Sequence, residues 1–304
     1  MDKTPIQNLG NLMGNSLFMK REDLIPYSFG GNKARKAFEF FREIDGNGHD
    51  CVITYGSGSS NHCRVVSNLC AEKKLECFIV SPIDTHPSTN SIMTHLFGAR
   101  TIYVPVSEVS ETIENLLASL KADGRKPYFI PGGGHGNHGT KAYVDCYEEI
   151  RLQEQEHGIF FDRIFFASGT GTTQAGLVCG QFLRQDNREI IGISIARKNP
   201  RGRNVILASI RDFLGEKYSE NAIQRATIFI DRYTDNGYGY DSPEILETIK
   251  TVLTTRGVPL DTTYTGKAFH GMIEFINERE VKGENILFLH TGGTPLFFDT
   301  LTKL

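Results

Sequence analysis

From about residue 50 onward, short apolar segments alternate with longer amphipathic segments, and no other feature of this sequence constrains the fold as strongly. Cys51–Tyr55 and residues 77–80, 101–104 and 128–130 have the length and composition of buried strands. Between them, the apolar residues recur with helical periodicity at residues 61–74, 88–97 and 107–122. Strands that alternate with helices at this spacing predict βαβ units and a parallel sheet.

A second alternation begins at residue 163, after a helix predicted at about 139–154. It predicts strands near 163–167, 190–195, 227–230 and 286–289, with helices near 204–214, 242–256 and 268–279. The two series predict an α/β fold of two open, twisted, mostly parallel sheets flanked by helices. We predict a large domain from residues 1–45 and 155–304 and a small domain from residues 46–154. Ligands of such folds bind beyond the carboxyl ends of the strands, which places them in the cleft between the domains.

The composition excludes several classes of protein. The formal net charge of the 304 residues is -3, so there is no basic surface of the kind that binds nucleic acid or an anionic membrane. No apolar run approaches the ~20 residues that a membrane span needs. The six cysteines form no CxxC pair and have no zinc-site spacing, so they are expected to be small core residues in a reducing compartment. These observations predict a soluble cytoplasmic protein that binds no metal.

The first candidate for chemistry is Lys33, which follows Gly30, Gly31 and Asn32 and leads into a segment of helical character. Two glycines and an asparagine allow a tight turn with positive φ. A lysine at the start of a helix lies near the positive end of the helix dipole, which disfavours its charged form, and a neutral amine can attack a carbonyl. We therefore predict that Lys33 is a nucleophile, the alternative being a solvated surface lysine.

The second candidate is the loop at residues 168–176, which follows a strand and opens a helix. Converging backbone N–H groups and hydroxyls at a helix N-terminus are typical of a phosphate site. No Gly-Lys-Ser/Thr follows the loop, and Gln174 occupies the place of a third glycine, so a triphosphate or dinucleotide loop is not indicated. The pattern predicts binding of one phosphate monoester, or else a glycine-rich turn without a ligand. The residues concerned are Ser168, Gly169, Thr170, Gly171, Thr172 and Thr173.

A third loop, residues 56–61, precedes the helix predicted at 61–74. The free N–H groups at that helix N-terminus would suit a carboxylate. Ser60 could relay a proton and Asn61 could bond an oxygen of a cofactor, although both residues also fit an ordinary helix cap. The next residue, His62, suits a core position better than a metal site.

Hydroxyl groups stand beside glycines at three places near the C-terminus. Thr265 and Thr291 each follow a presumed strand end, and a hydroxyl there can bond an unprotonated ring nitrogen, whereas a carboxylate would keep that nitrogen protonated. A helix cap and a simple turn are the respective alternatives. Tyr238, between two glycines, could bring a phenol into the cleft or face solvent.

Taken together, these motifs resemble the pyridoxal-phosphate enzymes of the tryptophan synthase β-like fold. Within that fold the chain resembles the family of D-cysteine desulfhydrase and 1-aminocyclopropane-1-carboxylate (ACC) deaminase. The matching segments run in family order over nearly the whole chain: residues 20–24, 30–36, 60–64, 130–133, 168–176, 237–239, 264–267 and 290–293. The resemblance implies fold type II, pyridoxal 5'-phosphate as the cofactor in the cleft, a small amino acid as the substrate, and a homodimer.

The resemblance also implies roles for individual residues. Lys33 would bind the cofactor covalently and move protons, residues 168–173 would hold the phosphate, and Asn61 would bond the phenolic oxygen. The remaining roles concern the substrate and the ring: the substrate carboxylate would meet Ser60, Asn61 and His62, the substrate would face Tyr238 and Tyr264, and the ring nitrogen would lie near Thr265 and Thr291.

One departure bears on the reaction. ACC deaminases carry glutamate directly after the tyrosine, where this chain has Thr265, and a carboxylate there deepens the electron sink. Threonine fits the desulfhydrase branch, in which an α-proton and a β-leaving group are lost and a 2-oxo acid and ammonia form. The resemblance therefore implies a lyase that acts on a D-cysteine-like amino acid. The alternatives are ACC deaminase and, in another class, a catalytically silent amino-acid-binding protein. Gly58 and Ser59 also depart from the family pattern, so the wall of the substrate pocket can differ.

Overall fold

The computed structural model describes residues 2–83, 88–234 and 237–304. The strands of the described residues alternate with helices along most of the chain, as the sequence predicts. They are β1 (Ile6–Leu12), β2 (Asn15–Lys20), β3 (Cys51–Tyr55), β4 (Glu76–Pro82), β5 (Arg100–Val104), β6 (Pro127–Ile130), β7 (Arg163–Ser168), β8 (Glu189–Ser194), β9 (Ile228–Ile230) and β10 (Asn285–Leu289).

The helices of the described residues cover both sheets. They are α1 (Asn32–Asn47), α2 (Asn61–Lys73), α3 (Thr89–Leu96), α4 (Val109–Ala122), α5 (Asn137–His157), α6 (Thr172–Arg184), α7 (Arg201–Leu214), α8 (Glu220–Ala226), α9 (Pro243–Arg256), α10 (Thr265–Glu278) and α11 (Thr294–Thr300). Within those residues, no helix is both long enough and apolar enough to cross a bilayer.

The strands form one sheet of six and one sheet of four. The larger sheet has the order β1-β2-β10-β7-β8-β9, and all its neighbours are parallel except the β1–β2 pair. The smaller sheet has the order β5-β4-β3-β6 and is parallel throughout. Two mostly parallel sheets flanked by helices confirm the predicted α/β fold.

Side chains on alternate positions of the strands fill separate cores on the two faces of each sheet. In β7, Phe165 packs against α10, whereas its neighbours Ile164 and Phe166 pack on the face that carries α5 and α6. In β3, Val52 and Ile53 divide in the same way between the two faces of the smaller sheet. Burial on both faces explains why these strands are almost continuously apolar in the sequence. All six cysteines are buried free thiols within these cores, as the sequence predicts.

The helices beside the predicted domain boundaries pack across them. The apolar face of α1 belongs to the core of the smaller sheet, together with residues such as Val52 and Leu69. Tyr143 and Ile150 of α5 belong instead to a core of the larger sheet. The division into residues 1–45 with 155–304 and residues 46–154 stays a prediction, and these two helices join its parts.

Candidate active site

A cavity of about 560 Å³ opens where the carboxyl ends of strands from both sheets face each other. Loops that follow β3, β6, β7, β8 and β10 line it, as do the N-termini of α1 and α2. This is the position that the βαβ pattern predicts for a ligand. Among the residues predicted from the sequence, those that line the cavity are Lys33, Ser60, Asn61, His62, Ser168, Gly169, Thr170, Gly171, Thr173, Tyr238, Tyr264 and Thr291.

The turn before Lys33 depends on its two glycines. Gly30 and Gly31 have φ values of 61° and 93°, in the left-handed region that favours glycine. A Cβ on Gly31 would lie 2.7 Å from the carbonyl oxygen of Thr291, so no larger residue fits there. The same carbonyl accepts a hydrogen bond of 2.9 Å from the backbone N–H of Asn32. The turn therefore fixes the start of α1 against the loop that follows β10.

The amine of Lys33 lies in the cavity and donates a hydrogen bond of 3.1 Å to the carbonyl oxygen of Gly133. Its pKa is lowered to about 8, chiefly because burial removes water from the ammonium group, with a further contribution from the charge of Arg197. The position of Lys33 at the start of a helix predicts a lowered pKa from the helix dipole, whereas burial is the larger cause in the structure. At a pKa of about 8, about one tenth of the amine is neutral and nucleophilic at pH 7, far more than in a lysine with the ordinary pKa.

Lys33 and the glycine-rich loop after β7 approach the same point. A Cβ on Gly133 would lie 3.3 Å from Nζ of Lys33 and 2.5 Å from Cγ2 of Thr170. Gly133 has a φ of 72°, which favours glycine, and a side chain at this position would fill the space between Lys33 and Thr170. One small molecule can therefore reach both the amine and the loop.

The loop after β7 has the features of an anion site. Gly171 precedes α6 with a φ of 101°, and the first N–H groups of a helix have no partner within the helix. Thr173 accepts a hydrogen bond of 3.1 Å from the amide of Asn32, which ties the loop to the start of α1. Ser168 is buried and donates to the side-chain oxygen of Gln174 at 3.0 Å, so its hydroxyl supports the loop from within.

Lys36 is a second cation at this loop that the motif analysis did not single out. It is buried on α1, one turn after Lys33, and donates a hydrogen bond of 2.8 Å to the hydroxyl of Thr172. Burial and the charge of Lys33 lower its pKa well below the ordinary range of lysine. Neither Thr172 nor Lys36 lines the cavity: the two side chains contact each other directly behind the loop. The spacing of three residues between the two lysines is the signal that could have identified Lys36.

The donor set fits a phosphate group. Among the described residues, Lys36 forms no ion pair with a carboxylate, and no aspartate or glutamate lines the cavity. A buried cation, unpaired helix N–H groups and an open amine are complementary to a phosphate monoester that also bears an aldehyde. Pyridoxal 5'-phosphate has this combination of groups.

The residues at the start of α2 have defined hydrogen-bonding states. The Ser60 hydroxyl caps the helix by accepting from the N–H of Cys63 at 3.2 Å. Thr54 donates its proton to the carbonyl of Ile130, so the contact of 2.8 Å between Thr54 and Nε2 of His62 requires that Nε2 carry the proton. Burial lowers the pKa of His62 well below its usual value, so the ring is neutral. A neutral ring with an unprotonated Nδ1 cannot donate to a carboxylate, which leaves the backbone N–H of His62 for that role.

Two phenols stand opposite this helix end. The hydroxyls of Tyr238 and Tyr264 lie 2.5 Å apart, and that of Tyr238 is 3.4 Å from the hydroxyl of Ser59. Burial, followed by the proximity of Tyr238, raises the pKa of Tyr264 well above its ordinary value. Tyr264 therefore stays protonated and can act as a hydrogen-bond donor in the cavity.

Thr265, which the sequence places near the ring nitrogen, lies outside the cavity lining in the structure. Thr265 is fully buried. Its hydroxyl donates to the carboxylate of Asp261 at 2.8 Å and accepts from the N–H of the same residue at 2.9 Å. Because its one proton is used by Asp261, Thr265 is not available as a donor to a ring nitrogen. Thr291, in contrast, lines the cavity at the end of β10.

Three cavity residues carry polar groups that the motif analysis missed. Tyr55 ends β3, Arg197 follows β8 closely, and His135 lies in the glycine-rich loop after β6. Arg197 donates a hydrogen bond of 3.3 Å to the carbonyl of Thr170, and burial followed by the charge of Arg201 lowers its pKa. The rule that ligands bind beyond the carboxyl ends of parallel strands would have identified Tyr55 and Arg197.

Comparison with known proteins places this arrangement in a family. The sequence profile of the family described as pyridoxal-phosphate dependent enzyme matches residues 2–292. D-cysteine desulfhydrase of Serratia proteamaculans is 30% identical over 312 residues, which cover 97% of this chain and 92% of that protein. A Pyrococcus horikoshii protein, provisionally named a 1-aminocyclopropane-1-carboxylate deaminase, is 32% identical over 310 residues, which cover 99% of this chain and 93% of that protein.

A solved structure shows the same fold over the whole chain. It is the crystal structure of an ACC deaminase homologue, and it has a TM-score of 0.88 and 33% sequence identity. The match covers 100% of this chain and 93% of the other. These comparisons confirm the resemblance, the fold type and the cofactor that the motifs indicate. The chain belongs to the pyridoxal-phosphate dependent enzymes, with relatives of the D-cysteine desulfhydrase and ACC deaminase type.

Proposed function

We propose that the protein is a lyase that catalyses α,β-elimination from a small, D-cysteine-like amino acid. With D-cysteine and one water, the products are pyruvate, ammonia and hydrogen sulfide. The observation that carries the proposal is the absence of aspartate and glutamate from the described residues that line the cavity. Without a carboxylate, the cofactor ring nitrogen is not held protonated, which suits elimination better than opening of a cyclopropane.

Four groups of residues would hold the cofactor. Lys33 would bind it covalently, and the loop at 168–173 would receive its phosphate together with Lys36, whose buried charge supports this role. Asn61 would bond its phenolic oxygen, and Thr291 would lie nearest its ring nitrogen. When bound, pyridoxal 5'-phosphate supplies an electron sink that stabilises negative charge on the α-carbon of the substrate.

The chain's own residues would orient the substrate and move the proton. The N-terminus of α2 would hold the substrate carboxylate through the hydroxyl of Ser60 and the backbone N–H groups of Asn61 and His62. Lys33 has a pKa of about 8, so its amine can take a proton from the α-carbon and return it elsewhere near neutral pH. Tyr264 is a protonated phenol that can donate to the leaving group, with Tyr238 at 2.5 Å to replace that proton.

ACC deaminase is the second candidate. Several relatives carry that name, and a solved relative is described as an ACC deaminase homologue. Thr265 speaks against this activity because it replaces the expected glutamate and its hydroxyl proton is used by Asp261. The same active site could also catalyse β-replacement or racemisation, because all these reactions begin with loss of the α-proton.

The test measures products from a panel of D- and L-cysteine, serine, cysteate, diaminopropionate and ACC. We expect pyruvate and ammonia in equal amounts from a β-substituted amino acid, with sulfide from a cysteine. Release of 2-oxobutyrate from ACC alone would establish the second candidate. No turnover of any compound by the cofactor-loaded protein would favour a silent binding protein and refute the proposal.

Two variants connect the activity to the cavity. Lys33→Ala should abolish covalent attachment of the cofactor, and turnover should fall by about 10⁴-fold, because it removes both the nucleophile and the proton carrier. Lys121→Ala, at an exposed lysine of α4, is the matched control and should retain turnover. Full activity of Lys33→Ala would contradict the proposed role.

A further inference from the structure

Behind the wall of the cavity, three buried polar side chains form a closed hydrogen-bond network. Arg64 of α2 donates from Nη1 to the side-chain oxygens of Asn61 and Asn90, each at 2.7 Å. Asn90 of α3 donates from Nδ2 to the side-chain oxygen of Asn61 and to the carbonyl of Ser59, each at 2.9 Å. Arg64 and Asn90 are completely buried, and only Asn61 reaches the cavity.

This network fixes the orientation of the Asn61 amide. Arginine can only donate hydrogen bonds, so the group that Asn61 turns toward Arg64 has to be its oxygen. The second lone pair of that oxygen is taken by Asn90. The amide NH₂ is therefore the only part of the Asn61 side chain left to serve a ligand, and it can only donate.

Arg64 adds a positive charge to this arrangement. Within the part of the chain that the structure describes, its guanidinium forms no ion pair, and Nε and Nη2 have no hydrogen-bond partner. The ring of Phe29 lies 5.9 Å from the guanidinium carbon. A buried cation without a carboxylate nearby is costly, and its field acts most strongly on the groups that it touches. Asn61 lies between this charge and the cavity.

We propose that Arg64 and Asn90 are positioning residues for the cofactor: they hold Asn61 as a donor and favour the anionic form of the oxygen that it meets. The inference rests on the role proposed above for Asn61 at the phenolic oxygen. A neighbouring positive charge and a donated hydrogen bond both stabilise an anion, so each lowers the pKa of that oxygen. Arg64 would act on the cofactor through the Asn61 amide, which it bonds, and not by direct contact.

The experiment titrates the visible absorption band of the cofactor-loaded protein with pH and measures the cofactor dissociation constant by equilibrium dialysis. Asn90→Asp is nearly isosteric but places a carboxylate against the oxygen of Asn61, so it repels that oxygen or turns the amide round. Arg64→Gln removes the charge, and Arg64→Lys retains it with fewer donors. Ser67→Ala, on α2, is the matched control because Ser67 is buried and its hydroxyl donates to the carbonyl of Cys63 and accepts from Sγ of Cys77, neither of which belongs to the network of Arg64, Asn90 and Asn61.

We expect Asn90→Asp and Arg64→Gln to raise the pH midpoint of the band and to weaken cofactor binding by about tenfold each. In Arg64→Lys, the pH midpoint should lie much closer to that of the unaltered protein than in Arg64→Gln. Ser67→Ala should change neither the midpoint nor the cofactor dissociation constant. Unchanged midpoints and affinities in the two disruptive variants would overturn the inference, and so would an equal change in Ser67→Ala.

Two further variants keep the test decisive. Thermal unfolding of the cofactor-free proteins shows which variants fold, and Asn90→Ala replaces Asn90→Asp if the latter does not. Because Arg64 still bonds Asn61 in Asn90→Ala, the midpoint should shift in the same direction by a smaller amount, and no shift would refute the inference. Asn61→Ala separates the two proposals: if it changes neither quantity, the role of Asn61 fails. If it changes both while the Arg64 and Asn90 variants do not, only the positioning role fails.

Discussion

Arg35 and Lys36 are adjacent on α1 and both are buried, yet their surroundings are opposite in kind. Arg35 makes two hydrogen bonds to the carboxylate of Glu22, at 2.5 and 2.6 Å, and lies 3.0 Å from Glu149. Lys36 meets only the hydroxyl of Thr172 among the hydrogen bonds of the described residues, and no carboxylate pairs with it there. One helix thus carries a neutralised cation on one face and an uncompensated one on another.

The Arg35 side is a complete ionic network. Glu149 also accepts from Lys20 at 2.6 Å, and Glu22 accepts from the hydroxyl of Thr4 at 2.7 Å. Burial alone would raise the pKa of Glu22, but the charge of Arg35 and its hydrogen bonds lower it to about 2. Each charge has a partner, so this face connects α1 to α5 and to the turn that follows β2, and it leaves no unpaired charge for a ligand.

The Lys36 side is incomplete without a ligand. Burying an unpaired charge costs several kcal/mol, and the lowered pKa of Lys36 records that cost. A phosphate bound at the adjoining loop, as proposed above, would recover this cost. Arg35 and Lys36 therefore differ in what their burial indicates. A buried cation points to a binding site only when the fold provides no carboxylate to pair with it.

The largest expected effect is that of Arg35→Met. It leaves Glu22 and Glu149 buried with half of their positive partners removed, so the free energy of unfolding should fall by about 3–5 kcal/mol. Chemical unfolding of the cofactor-free protein measures this change. Lys36→Met is the matched control, and it should keep or raise the stability because it removes a buried amine that no carboxylate among the described residues pairs with. Equal destabilisation by the two variants would contradict the conclusion that Arg35 is paired with carboxylates and Lys36 is not.

The second prediction concerns Lys36→Met in the presence of the cofactor. Loss of the buried amine that supports the phosphate loop should weaken pyridoxal 5'-phosphate binding by about 10- to 100-fold, as measured by equilibrium dialysis. The unphosphorylated compound pyridoxal should show no such loss, because the effect depends on the phosphate. An equal loss for both compounds would mean that Lys36 acts on the fold and not on the phosphate.

The smallest expected effect is a change in the pH dependence of Lys33. Its pKa of about 8 means that the reactive neutral amine decreases about tenfold for each pH unit below 8. Arg197→Met removes a positive charge that disfavours the ammonium form, so the pKa should rise by less than about one unit. The rate at which the cofactor-free protein reacts with pyridoxal should then shift to higher pH. Arg201→Met, at an exposed arginine, is the control, and a shift of equal size there would contradict the assignment.

The sequence alone was sufficient for features that depend on local pattern. Apolar periodicity identified β3 to β10 and most of the helices, because burial on one or both faces leaves a direct trace in the order of residues. Lys33 and the loop at 168–173 were identifiable because tight turns and helix N-termini require particular residues close together in the chain. The edge strand β1 is not predictable from apolar periodicity because Asn8, Gly10 and Asn11 interrupt its apolar pattern.

Features that depend on distant residues were not predictable in this way. Thr265 looked like a donor to the ring nitrogen until the structure showed Asp261 bonded to its hydroxyl, and no motif connects these two residues. Asn90 lies on α3, and the rest of α2 and the strand β4 separate it from Asn61 in the sequence. No residue spacing therefore predicts its contact with the Asn61 amide. The homodimer and the cytoplasmic location remain predictions of the resemblance and the composition.

The position of β10 has a consequence for biosynthesis. This late strand lies between β2 and β7 in the middle of the larger sheet, and Thr291 after it holds the turn that seats Lys33. Translation from residue 33 to residue 292 takes roughly 10 to 50 s at about 5–20 residues per second. A nascent chain therefore emerges from the ribosome with Lys33 already made but before the central strand of the larger sheet has been synthesised. We therefore expect uptake of the vitamin-derived coenzyme only once the polypeptide is nearly complete.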